Sequence, residues 1–566
     1  NGFYLKFASG AIGTDSSGQG NNYTASNLAN HDVAIDTPNN NFATLNPIPS
    51  ASSAIVMSQG NLHAVQRAGG ITNGQQNVST IAMPTGSGKW YFEMYQPYSG
   101  LGYLFGITPT SENPTLGSSG NLGYNQYNAS GGKQYATESR TDYGTAWYTS
   151  GQTYIISCYY DSDNGKIGYY MNGTDQGFAF TDVVAGTYFA SYRCGSGGTG
   201  SAPTTANFGQ NGTFGGAVTA QGNADTNGIG DFYYAPPSGY KALCTANLPD
   251  PAIPLPSAHF NTKLYAGNAT TKAVTDVGFA PDLVWIKNRT LGGSDNVLQD
   301  KVRGNYQTLI SNKTNAENTN SALDWFRSFD SDGFTVGHPV SGGGSETSEW
   351  NANNSNYVSW NWKGNGSGST NTDGDIDSVV SANQAAGFSI VTWTNTGAND
   401  QTIGHGLGVA PDVYFYKSRN FASSNWNVRV NGVIDGSQDG LTLNSTAAKY
   451  DSGLSAPTSS VFGNANMGGS NNQIVAYLFA SKPGFSKVGV YTGNGNVDGA
   501  FINTGFRPAW VMIKRADSTG SWNLKDTARA VYNADGYTLL AESRDAEYGP
   551  SNTLIDELSN GFKCRS

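Results

Sequence analysis

Gly278-Phe-Ala-Pro-Asp-Leu-Val-Trp-Ile-Lys287 is a stretch that the chain contains in three versions. The others are Gly408-Val-Ala-Pro-Asp-Val-Tyr-Phe-Tyr-Lys417 and Gly505-Phe-Arg-Pro-Ala-Trp-Val-Met-Ile-Lys514. In each version Gly permits a tight turn, Pro presets φ at the start of a strand, and an apolar run follows. A short apolar run bounded by turn residues is typical of a β-strand that is covered on both faces. Three versions therefore predict three similar β units in tandem.

Four positions recur in every version, and we assign them to the architecture of the unit. They are Gly278, Pro281, Trp285 and Lys287, then Gly408, Pro411, Phe415 and Lys417, then Gly505, Pro508, Met512 and Lys514. The Lys is predicted to keep a strand edge soluble or to pair with Asp300 or Asp526. A residue that occurs three times indicates a structural task, because active sites are rarely triplicated.

The three versions lie in longer units, residues 259–364, 387–483 and 484–566, with a Gly/Ser-rich flexible joint at residues 365–386. Their spacing is domain-sized, which predicts a string of globular β-sandwiches. The third unit lacks a counterpart of the final apolar strand of the other two, Tyr357–Trp362 and Ile474–Phe479. We expect either the natural chain to extend past Ser566 or a neighbouring chain to supply that strand. The first residue is Asn, so we also expect an extension before it.

Composition limits the class of protein. The 566 residues carry a net charge of −10 without a stripe rich in Lys and Arg, which excludes nucleic-acid binding as a main function. No apolar stretch has the roughly 18–20 residues of a membrane span. Aromatic residues make up 12% and charged residues only 13%, as is typical of half-buried β surfaces with uncharged polar loops. The four cysteines have no metal-binding spacing; Cys158 and Cys194 are able to approach each other, but small buried thiols are the favoured interpretation.

The N-terminal half is organised differently. Residues 1–52 are a loop-rich lead-in, residues 53–215 alternate strands with turns, and residues 216–258 form a Pro-rich linker that predicts a semi-rigid spacer. Gly88–Tyr95 is a predicted strand, and Asn172-Gly173 is a strong hairpin signal.

Residues 53–215 resemble a SPRY (B30.2-type) domain. The resemblance lies in Gly88-Lys-Trp-Tyr-Phe-Glu93, in Asn172-Gly173 followed by Gly177-Phe-Ala-Phe180, and in Ala206-Asn-Phe-Gly-Gln210. It implies a jelly-roll β-sandwich whose loops bind partners, and it implies no catalysis. The expected fold is therefore all-β and multidomain, a SPRY-like sandwich followed by three related β-sandwich repeats.

Few residues suggest chemistry, and we predict a non-enzymatic protein without a cofactor. Asp373, Asp375 and Asp377 are spaced in a loop and offer oxygen ligands for Ca²⁺, but the loop lacks the bidentate Glu of an EF-hand. Acids such as Asp526, Asp556 and Glu557 are candidates for glycoside hydrolysis, although solvated loop charges explain them better. His405 is likewise interpreted as a solvated loop residue.

The whole chain resembles structural proteins of tailed bacteriophages, particularly fibres of marine phages. The residues are Asn1-Gly-Phe-Tyr-Leu5, Asp36–Pro47, Ala242–Pro249 and the third Gly-x-x-Pro stretch. The resemblance implies a virion location, other virion proteins as partners, and a homo-oligomer, a trimer by analogy with phage fibres. It also implies a lectin-like domain before Asn1.

The leading hypothesis is a tail fibre or tail-associated protein that binds a receptor on the host surface. A glycan is the favoured receptor, and a protein is the alternative. Tyr and Trp on loops offer stacking faces for sugars, and Asn, Ser and Thr offer hydrogen bonds. The expected binding loops are Gly120–Gly144, Gly195–Thr204 and Asn351–Asn356. The alternatives are a capsid or neck decoration with a purely structural role, a secreted bacterial adhesin, and a polysaccharide-degrading spike.

Overall fold

A computed structural model describes most of the chain. The chain divides into two compact units. The described residues are 2–8, 10–29, 32–37, 39–46, 55–66, 76–97, 104–110, 124–127, 132–135, 139–145, 152–193, 203–248, 252–319, 325–337, 348–464, 467, 469–495, 499–530, 532–549 and 554–565. The first unit comprises Asn1–Pro249 and Gly493–Asn503, and the second comprises Asp250–Thr492 and Thr504–Ser566. The described helices are short 3-10 turns, among them Thr245–Asn247 and Pro256–Ala258. No helix of the described residues is long and apolar enough to span a bilayer.

The first unit is the two-sheet sandwich that the sequence predicts. Its strands are β1 (Ile55–Ser58), β2 (His63–Gln66), β3 (Gln76–Pro84), β4 (Lys89–Gln96), β5 (Leu104–Pro109), β6 (Tyr124–Tyr127), β7 (Gly132–Tyr135), β8 (Thr141–Asp142), β9 (Tyr154–Asp161), β10 (Lys166–Met171), β11 (Thr174–Phe180), β12 (Thr187–Arg193), β13 (Thr204–Asn207) and β14 (Lys241–Ala242). One sheet has the order β1-β2-β13-β4-β9-β10-β11, with β14 beside β4, and the other has the order β3-β12-β5-β6-β7-β8.

Strand β4 shows why the sandwich forms. Successive side chains of a strand point to opposite faces of the sheet, and in β4 both sets of side chains are buried, each in a different core. Trp90, Phe92 and Met94 enter the core between the sheets, where Phe92 meets Phe105 edge-to-face at 5.3 Å between ring centroids. Tyr91 lies on the opposite face, in a second buried cluster.

Residues 216–248 cover that opposite face, so the prediction of a spacer is wrong for this part of the linker. Phe232 is fully buried and packs edge-to-face on Tyr91, with 5.0 Å between centroids. The buried Glu93 carboxylate accepts hydrogen bonds from the backbone N–H groups of Tyr233 and Tyr234 at 2.9 and 2.8 Å. Proline-rich composition indicates an extended path, but it does not reveal that the path runs along a sheet.

The second unit contains three segments that correspond to the three versions of the motif: segment I (259–364), segment II (387–483) and segment III (484–566, without 493–503). The strands up to segment II are β15 (Phe260–Ala266), β16 (Lys272–Val274), β17 (Leu283–Asn288), β18 (Val297–Asp300), β19 (Leu309–Ile310), β20 (Phe326–Asp330), β21 (Gly333–Val336), β22 (Asn356–Trp362), β23 (Ser369–Asn371) and β24 (Ser378–Asn383). Segment II provides β25 (Phe388–Thr394), β26 (Gln401–Gly404), β27 (Val413–Ser418), β28 (Asn427–Asn431), β29 (Gln438–Thr442), β30 (Tyr450–Asp451), β31 (Val461–Asn464) and β32 (Gln473–Phe479). After β33 (Phe501–Asn503), which lies in the first unit, segment III provides β34 (Trp510–Lys514), β35 (Trp522–Asp526), β36 (Leu539–Leu540), β37 (Leu554–Leu558) and β38 (Gly561–Arg565).

The main sheets of the segments follow one order. Segment I has β15-β22-β17-β18-β19, and segment II has the matching series β25-β32-β27-β28-β29. In segment III the series β34-β35-β36 occupies the corresponding places. Strands β23 and β24 extend the sheet of segment II, so the joint expected at residues 365–386 is part of a sheet.

The three sheets bury one face in a common apolar core, which corrects the expectation of a string of separate sandwiches. The core includes Trp285 and Trp360 of segment I, Trp426 and Tyr477 of segment II, and Trp522 of segment III. The other faces of the sheets of segments I and II pack in cores of their own, with Phe334 in one and Phe462 in the other.

Candidate functional site

The motif glycines adopt a backbone conformation that other residues rarely adopt. The φ angles of Gly278, Gly408 and Gly505 are +90°, +74° and +83°. A side chain would be strained there, which explains why Gly recurs at the entry to each strand. The prolines that follow are buried at the strand starts.

The first two motif lysines do not lie on edge strands, so their interpretation as edge-solubilising residues is wrong. Lys287 and Lys417 are buried in strands with a neighbour on each side. Each donates a hydrogen bond to a backbone carbonyl, Lys287 to Ser294 at 3.0 Å and Lys417 to Ser424. Burial lowers the pKa of both ammonium groups to about 8. These contacts give the lysines a structural task within the unit.

Equivalent residues join neighbouring segments in a closed cycle. In each segment, the residue at the start of β18, β28 or β35 donates a side-chain N–H to a backbone carbonyl of a strand in another segment. Trp426 donates to Ile310 of β19 at 2.7 Å, and Trp522 donates to Thr442 of β29 at 3.0 Å. Asn296 donates to Leu540 of β36 at 3.0 Å. Segment II therefore contacts segment I, segment III contacts segment II, and segment I contacts segment III in the same way.

Among the described residues, two of the three interfaces also contain buried ion pairs. In the first, Arg303 pairs with Asp300 and with Glu317, and Glu317 also pairs with Arg419 of segment II. In the second, Arg529 pairs with Asp526 and with Glu547, and Glu547 also pairs with Arg289 of segment I. In segment II the position of Asp300 and Asp526 is occupied by Val430, which is buried. The three acids considered for hydrolysis, Asp526, Asp556 and Glu557, are buried, so their interpretation as solvated loop charges is wrong. Asp526 pairs with Arg529, and Asp556 pairs with Arg565.

Two of the candidate calcium ligands accept hydrogen bonds from the protein, Asp375 from strand β26 and Asp373 from its own loop. Asp375 accepts hydrogen bonds from the backbone N–H and the hydroxyl of Thr402 at 3.0 and 2.9 Å. Asp373 accepts one from the side chain of Asn371 at 2.9 Å. Within the described ranges no three His, Cys, Asp or Glu side chains are grouped as a metal site.

His405 is fully buried, so its interpretation as a solvated loop residue is wrong. Its Nδ1 accepts the N–H of Leu407 at 3.1 Å, and its Nε2 lies 3.2 Å from the carbonyl oxygen of Thr458. Burial lowers the pKa of this imidazole. Cys158 and Cys244 are free and buried, Cys564 is free and half-buried, and Cys194 lies outside the described residues.

An aromatic surface with one exposed ring lies on the first unit, at the β9-β10-β11 end of its larger sheet. We define the aromatic surface as the exposed Phe178, the half-buried Tyr170 and the buried Tyr159, which also packs against Tyr240, with the polar neighbours Lys166 and Asp175. The ring of Tyr159 lies 5.2 Å from that of Tyr170 and 5.5 Å from that of Phe178. Phe178 has 44% of its surface exposed, and Tyr170 is half-buried.

Polar groups hold this surface in place. The hydroxyl of Tyr159 donates to Asp175 at 2.9 Å, and the same carboxylate oxygen accepts the N–H of Gly177 at 2.9 Å. Lys166 places its ammonium 5.5 Å from the centre of the Phe178 ring. Burial, and then the Asp175 contact, raise the pKa of Tyr159, so its hydroxyl remains a donor at neutral pH.

Gly168 creates the room for the central ring. A Cβ at this position would lie 2.3 Å from the tip of the Tyr159 side chain. The pairing of β10 with β11 also shifts register around Gly168. Such a bulge bends the strand and redirects side chains, and here it accompanies an exposed Phe on β11. The sequence does contain Gly177-Phe178, but the motif predicts the fold and does not indicate that the ring is exposed.

A polar groove of about 530 Å³ lies in the second unit. Its lining includes the amide and hydroxyl side chains of Asn365, Ser369, Thr370, Asn371, Asn383 and Gln384. Asn383 contacts Nδ1 of His259 at 2.8 Å, and burial lowers the pKa of that imidazole. None of the lining residues is Phe, Tyr or Trp, so the groove offers hydrogen bonds without a stacking face.

The loops expected to bind a receptor are described only in part. In Gly120–Gly144 residues 120–123, 128–131 and 136–138 lie outside the described residues, and in Gly195–Thr204 residues 195–202 do. In the third loop Asn351 is buried and bonds Asn268 at 3.0 Å, which indicates a structural role for that residue.

Comparison with protein families assigns both units. A profile described as a domain of unknown function, DUF7483, matches residues 255–566, more than half of the chain. The chain belongs to the DUF7483 family. The SPRY domain profile matches residues 89–207, so a SPRY domain precedes the DUF7483 domain, as the sequence resemblance implies.

Solved structures of SPRY domains are similar to the first unit. The SPRY domain of human HERC1 is 16% identical and covers 29% of this chain and 96% of that chain, with a TM-score of 0.22. The PSpry domain of TRIM65 is 13% identical and covers 29% and 92%, with a TM-score of 0.23. A comparison with curated proteins finds no match.

Proposed function

We propose that this chain is a non-enzymatic virion protein of a tailed bacteriophage, a tail fibre or tail-associated protein that binds a glycan on the host surface. The sequence resemblance to marine phage fibres motivates the location on the virion, beside other virion proteins and in a homo-oligomer. SPRY domains are generally interaction modules, which supports binding as the task of the first unit.

The aromatic surface is the observation that carries the glycan part of the proposal. A sugar ring packs its C–H face against the electron-rich face of an aromatic ring, and Phe178 exposes such a ring. Asp175 and Lys166 lie beside it and provide an acceptor and a donor for hydroxyl groups. An apolar group with a few fixed polar neighbours is the usual composition of a small-ligand site.

We also infer that the three segments of the DUF7483 domain are tandem copies of one repeat. The cyclic contacts of Trp426, Trp522 and Asn296 support this inference, because equivalent positions meet equivalent carbonyls. In this proposal the repeats form a rigid body and the SPRY domain binds the receptor.

A glycan array tests the proposal. The purified chain should bind a restricted set of bacterial surface glycans, and Phe178→Ala should lose that binding. Tyr532→Ala removes another exposed ring, 84% exposed in the second unit, and should bind like the wild type. Absence of any glycan binding by the wild type, or equal binding by Phe178→Ala, would contradict the proposal.

A further inference from the structure

The polar groove of the second unit lies beside two strands that are additions to the repeat. Strands β23 and β24 continue the sheet of segment II beyond β25. In segment I the sheet ends at β15, the counterpart of β25, and no described strand continues it. The groove is therefore formed by a part of segment II that the shared architecture does not require.

The floor of the groove is small and apolar, and polar side chains stand beside it. Ser369 lies opposite Val380, and Asn371 follows two residues later, so both side chains lie on the face of Val380. Gly406 keeps the floor open. A Cβ at this position would lie 2.9 Å from a methyl carbon of Val380 and 3.2 Å from the Cβ of Ala382. A larger residue in place of Gly406 would therefore fill the groove.

The imidazole of His259 is held with one N–H left over. Asn383 accepts the N–H of Ala386 with its amide oxygen and donates to the carbonyl of Lys363 with its amide nitrogen. That nitrogen lies 2.8 Å from Nδ1 of His259, so Nδ1 is an acceptor and Nε2 carries the proton. Among the described residues this Nε2–H makes no hydrogen bond, which leaves it available to a ligand.

Lys363 places a positive charge beside this imidazole. The backbone N–H of Lys363 bonds to the carbonyl of His259 at 2.9 Å, so the two residues lie opposite each other on neighbouring strands, with their side chains on one face. Lys363 is exposed, and it forms no ion pair among the described residues. Burial, and then the charge of Lys363, lower the pKa of His259, so its ring is neutral at neutral pH. This end of the groove thus offers one ammonium group and one neutral N–H donor.

The nearby carboxylates are already engaged. Asp282 bonds the backbone N–H that follows Lys363 at 2.8 Å, but it is buried and pairs with Lys301 at 3.8 Å. Asp373 lies at the other end of the groove, where it accepts a hydrogen bond from Asn371. The charge of Lys363 is therefore not neutralised by a direct contact within the groove.

The rest of the lining defines the remainder of a ligand. The side chains of Asn365, Ser369 and Gln384 are exposed and contain both donors and acceptors. The volume of about 530 Å³ is in the range of small-molecule sites. A matching ligand carries many hydroxyl groups and one anionic group. A nucleotide fits less well, because its base would find no aromatic ring to stack on.

We propose that the polar groove is a second ligand site, which binds a sugar that carries a carboxylate. The carboxylate accepts hydrogen bonds from the ammonium of Lys363 and from Nε2–H of His259, and the ring hydroxyls bond to Asn365 and Ser369. Hydrogen bonds between charged groups are stronger than neutral ones, so the carboxylate determines the preference. The proposal is independent of the aromatic surface, because the two sites share no residue.

Two pairs of sugars test the site on the intact chain, glucuronate with glucose and galacturonate with galactose. The members of each pair differ at C6, which is a carboxylate in the acid and a hydroxymethyl group in the neutral sugar. In saturation-transfer NMR titrations, at least one acid should bind about three- to fivefold more tightly than its neutral partner, as an exposed ion pair allows. About 0.5 M sodium chloride should remove most of this preference. Absence of binding by both acids, or equal affinities within both pairs, would overturn the proposal.

Three variants place the acid in the groove. Lys363→Met should lower the affinity for the acid to that of the neutral sugar and leave the neutral sugar unaffected. Asn365→Ala should weaken both sugars by a similar factor, because its amide bonds hydroxyl groups that both possess. Lys6→Met removes an exposed lysine of the first unit and should change neither affinity. Unchanged binding of the acid by both groove variants would overturn the proposal.

Phe178→Ala separates this site from the aromatic surface. The variant should bind the acid like the wild type, even where it loses the glycan selected on the array. Loss of the acid in Phe178→Ala would place that ligand on the aromatic surface and overturn the assignment to the groove. Binding of the acid without any binding on the array would instead contradict the function proposed above and leave the groove site supported.

Discussion

At the scale of single residues, the second unit contains polar side chains that are buried together with specific partners. Tyr477 is buried at the common core, donates its hydroxyl to Asp300 of the neighbouring segment and accepts a hydrogen bond from Arg303. Tyr160 in the first unit is also fully buried, but its hydroxyl has no hydrogen-bond partner among the described residues. The pair separates the effect of a bonded hydroxyl from that of ring burial.

We expect Tyr477→Phe to lower the free energy of unfolding by about 1.5–3 kcal/mol, since a hydrogen bond to a charged group is lost in a buried place. Tyr160→Phe should be neutral or slightly stabilising, because it removes a buried polar atom that makes no bond. Urea unfolding of both variants measures the difference. Equal effects would show that the Asp300 contact does not stabilise the segment interface.

Because of Lys417, the stability of the protein should change with pH in the alkaline range. Its pKa is lowered to about 8 by burial, below the ordinary value of 10.5. Below pH 8 both folded and unfolded chains hold the proton, and the penalty for burying the charge is fully present. Between pH 8 and 10.5 the unfolded chain holds more protons than the folded chain, so this residue increases stability as pH rises.

Lys417→Met should remove this contribution. Between about pH 8 and pH 9.5 the free energy of unfolding of the wild type should rise by about 2 kcal/mol more than that of the variant. This corresponds to about 1.4 kcal/mol per pH unit. The difference between the two proteins isolates the lysine from the buried tyrosines, which ionise in the unfolded chain over an overlapping range. Parallel stability curves for the two proteins would contradict the assignment.

At the scale of elements, the sequence predicted each motif strand correctly and misjudged its neighbours. Gly and Pro mark the turn and the strand start, and both act through local backbone conformation, which a sequence pattern reports directly. The position of Lys287 in the sheet depends instead on β22, which is distant in sequence and covers it. A central strand and an edge strand of the same composition cannot be distinguished by periodicity alone.

The turn itself provides a prediction at this scale. Gly505 has a φ of +83°, and no atom lies within 4 Å of the place that a Cβ would occupy, so Gly505→Ala tests conformation without a clash. We expect a loss of about 1–2 kcal/mol of stability. Gly489 lies in the same segment and is the control. A Cβ at Gly489 would also meet no atom within 4 Å, but its φ lies outside the left-handed region, so Gly489→Ala should be neutral or slightly stabilising. Equal effects in a thermal unfolding assay would contradict the backbone explanation.

At the scale of the whole chain, the all-β class and the SPRY-like sandwich could be predicted because strand patterns and turn signals are local. The common core of the three segments could not, because it depends on which faces meet. Trp426 contacts Ile310 across the interface, and nothing in either strand's pattern indicates the partner. The SPRY resemblance implies binding by loops, whereas the exposed ring of Phe178 lies on strand β11 and the half-buried ring of Tyr170 lies on β10.

Binding by the aromatic surface is the central claim, and calorimetric titration tests it most directly. The intact chain, Phe178→Ala and Tyr532→Ala would each be titrated with the glycan selected on the array. We predict that Phe178→Ala binds at least about tenfold more weakly, which corresponds to about 1.4 kcal/mol for the lost ring contact. Tyr532→Ala should bind like the wild type. Unchanged affinity of Phe178→Ala, with the fold intact, would contradict the claim.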